Sequence, residues 1–212
     1  MSDSPGFTTD FATGPVATPD RSHARRLQPG EAVPLRRFDT ATGATLDIVD
    51  APLTHLQFRR FAGCPICSLH LQSFARRKDE LAHSIREVVF FHSGKEDLAR
   101  YAADLPFAVI PDPGKEIYRA FGVEVGARAL VGLRPVLSVF RSVVIILVSV
   151  ILGRRRMPPL RPAGGSLGLP ADFLVDAEGR IVACKYGEHA DDQWPVDDVL
   201  VLARRWYDGR DH

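Results

Sequence analysis

The segment Cys64-Pro65-Ile66-Cys67 places side chains of reactive type at a spacing that suits chemistry. Two cysteines three apart on the first turn of a helix occupy neighbouring positions of one face. That spacing allows Cα separations near the roughly 5.5–6 Å a disulfide prefers. A helix N-terminus adds about half a positive charge and unpaired N–H donors. Arg59 and Arg60 lie just upstream, and strand alternation sends them to opposite faces. These features lower a thiol pKa, and the thiolate is the species that reacts. It attacks a disulfide sulfur, or a peroxide O–O bond to leave a sulfenic acid that a nearby thiol condenses into a disulfide. Cys64 and Cys67 would thus supply nucleophile and resolver within one turn. Pro65 suits the first helical position, which makes Cys64 the N-cap. Its sulfur can then accept a backbone N–H two or three residues on. Cys67 lies deeper, where facing the core raises a thiol pKa. The local physics therefore favours Cys64 as the attacking thiol.

Two other readings of the pair stay open. A zinc site normally needs a second pair, and only His70, Cys184 or a distant histidine could complete one here, so no metal is expected. Free cysteines are also often inert core residues. The strand–Gly–Cys–Pro–x–Cys–helix context argues for redox chemistry instead. Cys184, in a late β-rich run, reads as a packed strand residue, and His55, His83 and His92 as isolated structural or surface groups. Pro170 precedes the same late run, either as a loop terminator or as a cis-proline facing the cysteines. With no Ser/His/Asp constellation and no Gly-rich phosphate loop, no cofactor is expected.

The elements that must position the pair can be read around it. Residues 1–30, rich in Pro, Thr, Ser, Asp and Gly, cannot offset their ordering entropy by burial and read as a disordered leader. Leu46–Val49 and Leu53–Phe61 read as strands. Gly63-Cys64-Pro65 then opens a helix to about His83. Ile85–Phe91 is a strand, and Ser93-Gly94-Lys95-Glu96 has the form of a capping box for a helix through Ala103. Phe107–Ile110 is a short strand, and Asp112-Pro113 caps a helix stopped by Gly122. Ala171–Val175 and Arg180–Lys185 form a hairpin, and an amphipathic helix from about Val196 to Trp206 precedes a tail, 207–212. Strands alternating with helices predict an α/β fold: a mainly parallel central sheet with a terminal antiparallel hairpin and helices on both faces.

Between these parts lies an insertion at about 126–168. Its Val136–Leu152 run is 17 residues long, strongly apolar, and followed by Arg154-Arg155-Arg156. A span needs about 20 apolar residues, and Arg141 at the bilayer centre would cost roughly 2.5–3.5 kcal/mol. A buried or partner-packed helix is the expectation, with peripheral membrane contact the alternative. The whole chain of 212 residues, 45% hydrophobic and 25% charged, is large enough for one domain with a sizeable core. A net charge of +1 makes no electrostatic case for nucleic acid. Three cysteines are an odd number and too few for a disulfide-stapled secreted fold. The first 30 residues hold no apolar signal-peptide core, so a reducing, cytoplasmic setting is expected.

Several of these segments resemble a known family. Gly63-Cys64-Pro65-Ile66-Cys67 after a strand resembles the thioredoxin superfamily. Leu105-Pro106-Phe107 through Pro111-Asp112-Pro113-Gly114-Lys115-Glu116-Ile117-Tyr118-Arg119-Ala120-Phe121-Gly122-Val123 is similar to the peroxiredoxin (AhpC/TSA) segment. Phe173-Leu174-Val175-Asp176 with Gly179-Arg180-Ile181 is similar to that family's hairpin, and Pro29–Pro34 to its entry segment. The resemblance covers roughly residues 28–206, the insertion excepted, and implies a thioredoxin-like fold over 31–206. It points to the peroxiredoxin-like branch that carries Cys-x-x-Cys. Typical peroxiredoxins carry Pro-x-x-x-Thr-x-x-Cys; here Cys64 stands at the threonine and Arg60 at the proline. That alignment puts Cys67, not Cys64, at the peroxide-attacking position. Pro170 matches the cis-proline site of thioredoxin-like folds. The expected function is reduction of peroxides or disulfides by Cys64 and Cys67, supported by Arg60, Pro65 and Pro170. A thiol reductant such as a thioredoxin-type protein would restore the pair. The alternative is a non-catalytic thioredoxin-fold module or redox sensor.

Overall fold

A computed structural model of the chain describes residues 25–101, 105–123 and 168–210. Strands β1 (Arg37–Asp39) and β2 (Thr45–Asp47) pair antiparallel as a small ribbon. Then follow β3 (Leu53–Arg59), α1 (Pro65–Arg76), α2 (Lys78–Ala82), β4 (Arg86–Phe91), α3 (Lys95–Tyr101), β5 (Ala108–Pro111) and α4 (Glu116–Ala120). Strands β6 (Ala171–Asp176) and β7 (Ile181–Tyr186) and helix α5 (Val196–Asp208) close the described chain. The central sheet runs β5-β4-β3-β6-β7.

The strand bearing the cysteine segment at its end lies in the middle of this sheet. Strand β3 is buried at all seven positions. One face of the sheet, with Leu56, Phe58, Phe90 and Phe173, packs against Tyr118 of α4, Phe121 and Phe38. Phe58 stacks on Phe90 at 4.6 Å and meets Tyr118 edge-on at 5.1 Å, contacts that each contribute about 0.5–1.5 kcal/mol beyond area burial. The other face packs Leu53 and Leu174 against Phe74 of α1, Leu81 of α2, and Val199 and Leu200 of α5. Helices therefore cover both faces, and the terminal hairpin is present.

The structure departs from expectation in several places. The sheet is mixed: β3–β4 and β4–β5 are parallel, whereas β3–β6 and β6–β7 are antiparallel. Strand β6 is fully buried, so its apolar residues place it inside the sheet beside β3. The helix expected to run to His83 breaks at Arg77, with φ −110° and ψ 22°, where the guanidinium bonds Glu80 and Asp197. Ser93 closes no capping box; its Oγ accepts the Ala62 N–H at 2.9 Å. Helix α5 continues through Tyr207, whose hydroxyl donates to the Ser84 carbonyl at 2.8 Å. The end of the expected leader is engaged: Leu27 N–H donates to Tyr186 Oη at 2.7 Å. Gly122, at φ +68°, lies so close beneath Arg25 that a Cβ would meet its carbonyl oxygen at 2.4 Å. The Val136–Leu152 run and almost all of the 126–168 insertion lie outside the described residues, as do residues 1–24. Among the described residues no helix is long and apolar enough to cross a membrane.

Candidate active site

Strand β3 delivers the chain into a tight loop pinned to the end of β4. The Arg60 carbonyl accepts the His92 N–H at 3.1 Å, and Ser93 holds Ala62 as described above. Gly63 takes φ +83°, a left-handed turn that side chains disfavour. Cys64 N–H bonds the Phe61 carbonyl, and the Cys64 carbonyl accepts the Ser68 N–H at 2.9 Å, the first turn of α1. Cys64 is thus the N-cap, with φ −57° and ψ 119°, and proline follows it at the first helical position. No conventional side-chain cap closes this end. The helix amides are left to the sulfur.

The two sulfurs meet in one buried pocket, 1% and 0% exposed for Cys64 and Cys67. Ile66, Ala190 and Phe61 surround them. The Cys67 thiol donates to the Cys64 sulfur, and this bond is the main reason the Cys64 pKa falls from 9.0 to about 7. Burial opposes the fall. The Arg60 charge and the N–H groups of Cys67 and Ile66 assist it. Cys67 goes the other way, held well above its ordinary value by burial and by its bond to Cys64. The backbone and the charge of Arg60 work against that rise without cancelling it. One thiol is prepared to ionise near neutral pH and its neighbour to remain protonated, a division set by depth in the helix.

The expected supporting residues divide. Arg60 reaches the pair as a charge, its guanidinium carbon 5.5 Å from the Phe61 ring centroid. The chain enters α1 at Pro65 as expected. Pro170 does not match the cis expectation, since no cis peptide bond occurs among the described residues. Its carbonyl accepts the Gly187 N–H at 2.9 Å, and its ring packs where a Gly187 Cβ would stand. It fastens the open end of the β6–β7 hairpin. Cys184 on β7 is half-buried and donates to the Leu27 carbonyl at 3.5 Å. A groove of about 590 Å³ lies at the opposite end of β3, against Leu53, Ile85, Phe107 and Tyr207.

A buried charged network beneath the pair was not expected. His55, Gln57 and Arg59 project from one face of β3, and His55 bridges Glu87 at 2.8 Å and Asp172 at 3.2 Å. Arg59, fully buried, donates to Asp172 at 2.7 Å, to Gln57 at 2.6 Å and to His70 Nε2 at 3.2 Å. Burial alone would lower the His55 pKa, but the two carboxylates outweigh it and hold it up at about 9. Asp172 is held well below the carboxylate range by Arg59 and His55 against its own burial. Burial and the Arg59 charge push His70 down to about 3. His55 is therefore a charged hub, not the isolated histidine expected. The alternation of His55, Gln57 and Arg59 was the signal, since residues two apart share a face. Because His70 lies one turn beyond Cys67, the network fastens the cysteine helix to the sheet.

No family model matches this chain, and no curated protein matches it. Solved structures do. Peroxidoxin BcpB from Mycobacterium tuberculosis superposes with a TM-score of 0.59 at 16% identity, covering 85% of this chain and 98% of that one. The reduced 2-Cys peroxiredoxin of Plasmodium vivax gives 0.58 at 11%, covering 88% and 100%. A thiol peroxidase from Chromobacterium violaceum gives 0.58 at 13%, covering 87% and 90%. At these identities the likeness shows the fold: this chain has the thioredoxin-like architecture of peroxiredoxins.

Proposed function

We propose that this chain is a thiol-dependent oxidoreductase that reduces peroxides or disulfides through a Cys64/Cys67 cycle, with Cys64 attacking first. The observation that carries the reading is the opposed ionisation of two contacting thiols at a helix N-terminus, Cys64 lowered to about 7 and Cys67 raised. A nucleophile poised near ambient pH reacts fastest with disulfides. The Cys64 thiolate attacks one sulfur of R–S–S–R′, forms Cys64–S–S–R and expels R′S⁻. Cys67 gives up its proton and attacks the Cys64 sulfur, forming the internal disulfide and expelling RS⁻. With a peroxide, the first step breaks O–O to leave a Cys64 sulfenic acid and an alcohol or water, and the second expels water. In both cases the protein dithiol is oxidised and the substrate reduced by two electrons. A thiol donor, such as a thioredoxin-type protein, closes the cycle. The fold shared with peroxiredoxins and a thiol peroxidase supports this reading, and three cysteines, too few to staple a secreted fold, suit the cytoplasmic setting that belongs to the proposal.

The burial of both sulfurs favours a second reading, a redox sensor that reacts once and is not turned over. Peptide mapping after one equivalent of peroxide or of a small disulfide, followed by turnover with a dithiol reductant, separates the two. An oxidoreductase yields a Cys64–Cys67 disulfide and sustained consumption of oxidant. A single stoichiometric reaction identifies a sensor, and disulfides involving only Cys184 would sink both.

A further inference from the structure

Both sulfurs of the proposed cycle are buried, so a reagent from solution must displace something to reach them. Of the residues packed with the pair, Ile66 lies in the first turn of α1 and Phe61 in the loop pinned to β4. The third, Ala190, is carried by the loop 188–193 between β7 and α5. Ala190 is 0% exposed, whereas Asp191 beside it is exposed and His189 half-buried. This loop therefore turns one side to solvent and its alanine methyl toward the cysteines. It is tied to the sheet at its two ends: Gly187 N–H donates to the Pro170 carbonyl at 2.9 Å, and Trp194 N–H to Asp172 Oδ2 at 3.2 Å. Glycine is needed at 187, since a Cβ there would meet the Asp192 carbonyl oxygen at 2.6 Å. Between the ties, Asp192 N–H donates to the His189 carbonyl, Gln193 N–H to the Asp191 carbonyl and Gln193 Nε2 to the Ala190 carbonyl, bonds that travel with the loop. The Asp192 carboxylate holds it down. One oxygen accepts the Glu188 N–H at 2.9 Å, and the other pairs with Lys185 Nζ on β7 at 2.6 Å. Gln193 Oε1 is buried without a hydrogen-bond partner in this position, a cost that exposure to water relieves.

We propose that the loop 188–193 is a gate over the cysteine pair, latched by the Lys185–Asp192 ion pair, and that its opening sets how fast an oxidant reaches Cys64. Lifting Ala190 uncovers the sulfur while the ladder of β7 and the turns of α5 stay in place. With reclosure faster than reaction, the observed rate is the open fraction multiplied by the intrinsic reactivity of the thiolate, as for any local opening. The latch is a partly exposed ion pair, with 31% and 23% of the two side chains accessible. Removing such a pair raises the open fraction by about 1.4- to 5-fold. The inference rests on the proposed Cys64/Cys67 cycle, because a gate matters to a pair that must be reached from solution.

The test follows alkylation of the reduced full chain by iodoacetamide at low ionic strength, in a Cys184→Ser background, with the modified residue identified by mass spectrometry. Iodoacetamide is uncharged, so surface charge does not steer it. Rates are compared about two pH units above the measured Cys64 midpoint, where its ionisation is essentially complete. Lys185→Met and Asp192→Asn change the net charge in opposite directions, yet both remove the latch. Both are expected to speed alkylation of Cys64 by about 1.4- to 5-fold, with the midpoint unmoved. Lys185→Gln and Asp192→Ala replace them where either folds poorly. Anything short of a gain in both variants, including changes of opposite sign that follow the charge, overturns the inference. So does a gain matched by an equal rise in the global unfolding constant on urea titration, which assigns the exposure to unfolding. Alkylation of Cys67 before Cys64 overturns the order of attack in the proposed cycle, and the same two variants then decide the gate from the rate at Cys67.

Discussion

Replacing Cys67 by alanine should make Cys64 a markedly poorer thiolate. The Cys67 thiol is the leading cause of the Cys64 pKa near 7, ahead of the Arg60 charge and the helix amides. A hydrogen bond to a charged acceptor contributes about 1.5–3 kcal/mol, and a thiol is a weak donor, so the lower end applies. At about 1.4 kcal/mol per unit, the Cys64 midpoint should climb by about one unit. At pH 7 the thiolate fraction then falls from roughly a half to about a tenth, a fivefold loss in the rate of iodoacetamide alkylation. Cys67→Ser, which keeps an O–H donor in place, should lose less. The assay is the pH dependence of alkylation at Cys64, read by mass spectrometry in a Cys184→Ser background. A midpoint that stays at 7 or falls in Cys67→Ala would refute the assigned cause. If Cys67 alkylates first in the reduced protein, or if Cys64→Ser keeps full single-turnover reaction with peroxide while Cys67→Ser loses it, the alignment with the peroxiredoxin threonine motif was the better guide to the nucleophile.

The buried network makes two further claims. His55 holds a proton to about pH 9 in the folded protein against an ordinary 6.5, so its stabilising contribution is complete below 6.5 and is lost as pH rises through 9. Chemical denaturation between pH 6 and 10, in a Cys64→Ser/Cys67→Ser background that removes the titrating thiols, should show stability falling by up to roughly 3 kcal/mol; a flat profile would show that His55 is neutral when folded. Arg59→Met leaves the Asp172 carboxylate short of its closest partner and should destabilise by about 3–5 kcal/mol, a loss that Arg59→Met/Asp172→Leu should partly recover. A double variant no more stable than the single would mean the ion pair is not the source of the cost.

Much of this molecule was legible in the order of its residues. Strand-length apolar runs separated by Gly, Pro and Asp marked the strands β3 to β7 because burial needs a repeating pattern, and local turns need particular residues. Gly63, Pro65 and the cysteine spacing likewise determined the N-cap position of Cys64, since a helix start is a local event. Tertiary structure decided what local patterns do not encode. The slot of β6 inside the sheet, and hence its mixed direction, depends on which neighbours bury both faces of Phe173, Leu174 and Val175. The charged network joins β3, β4, β6 and α1 across separations of more than a hundred residues, and burial strengthens it where a sequence shows only scattered polar residues. The division between the two thiols belongs to both levels: the helix start made Cys64 accessible to the amides, and the packed core around Cys67 supplied the desolvation that keeps its proton on.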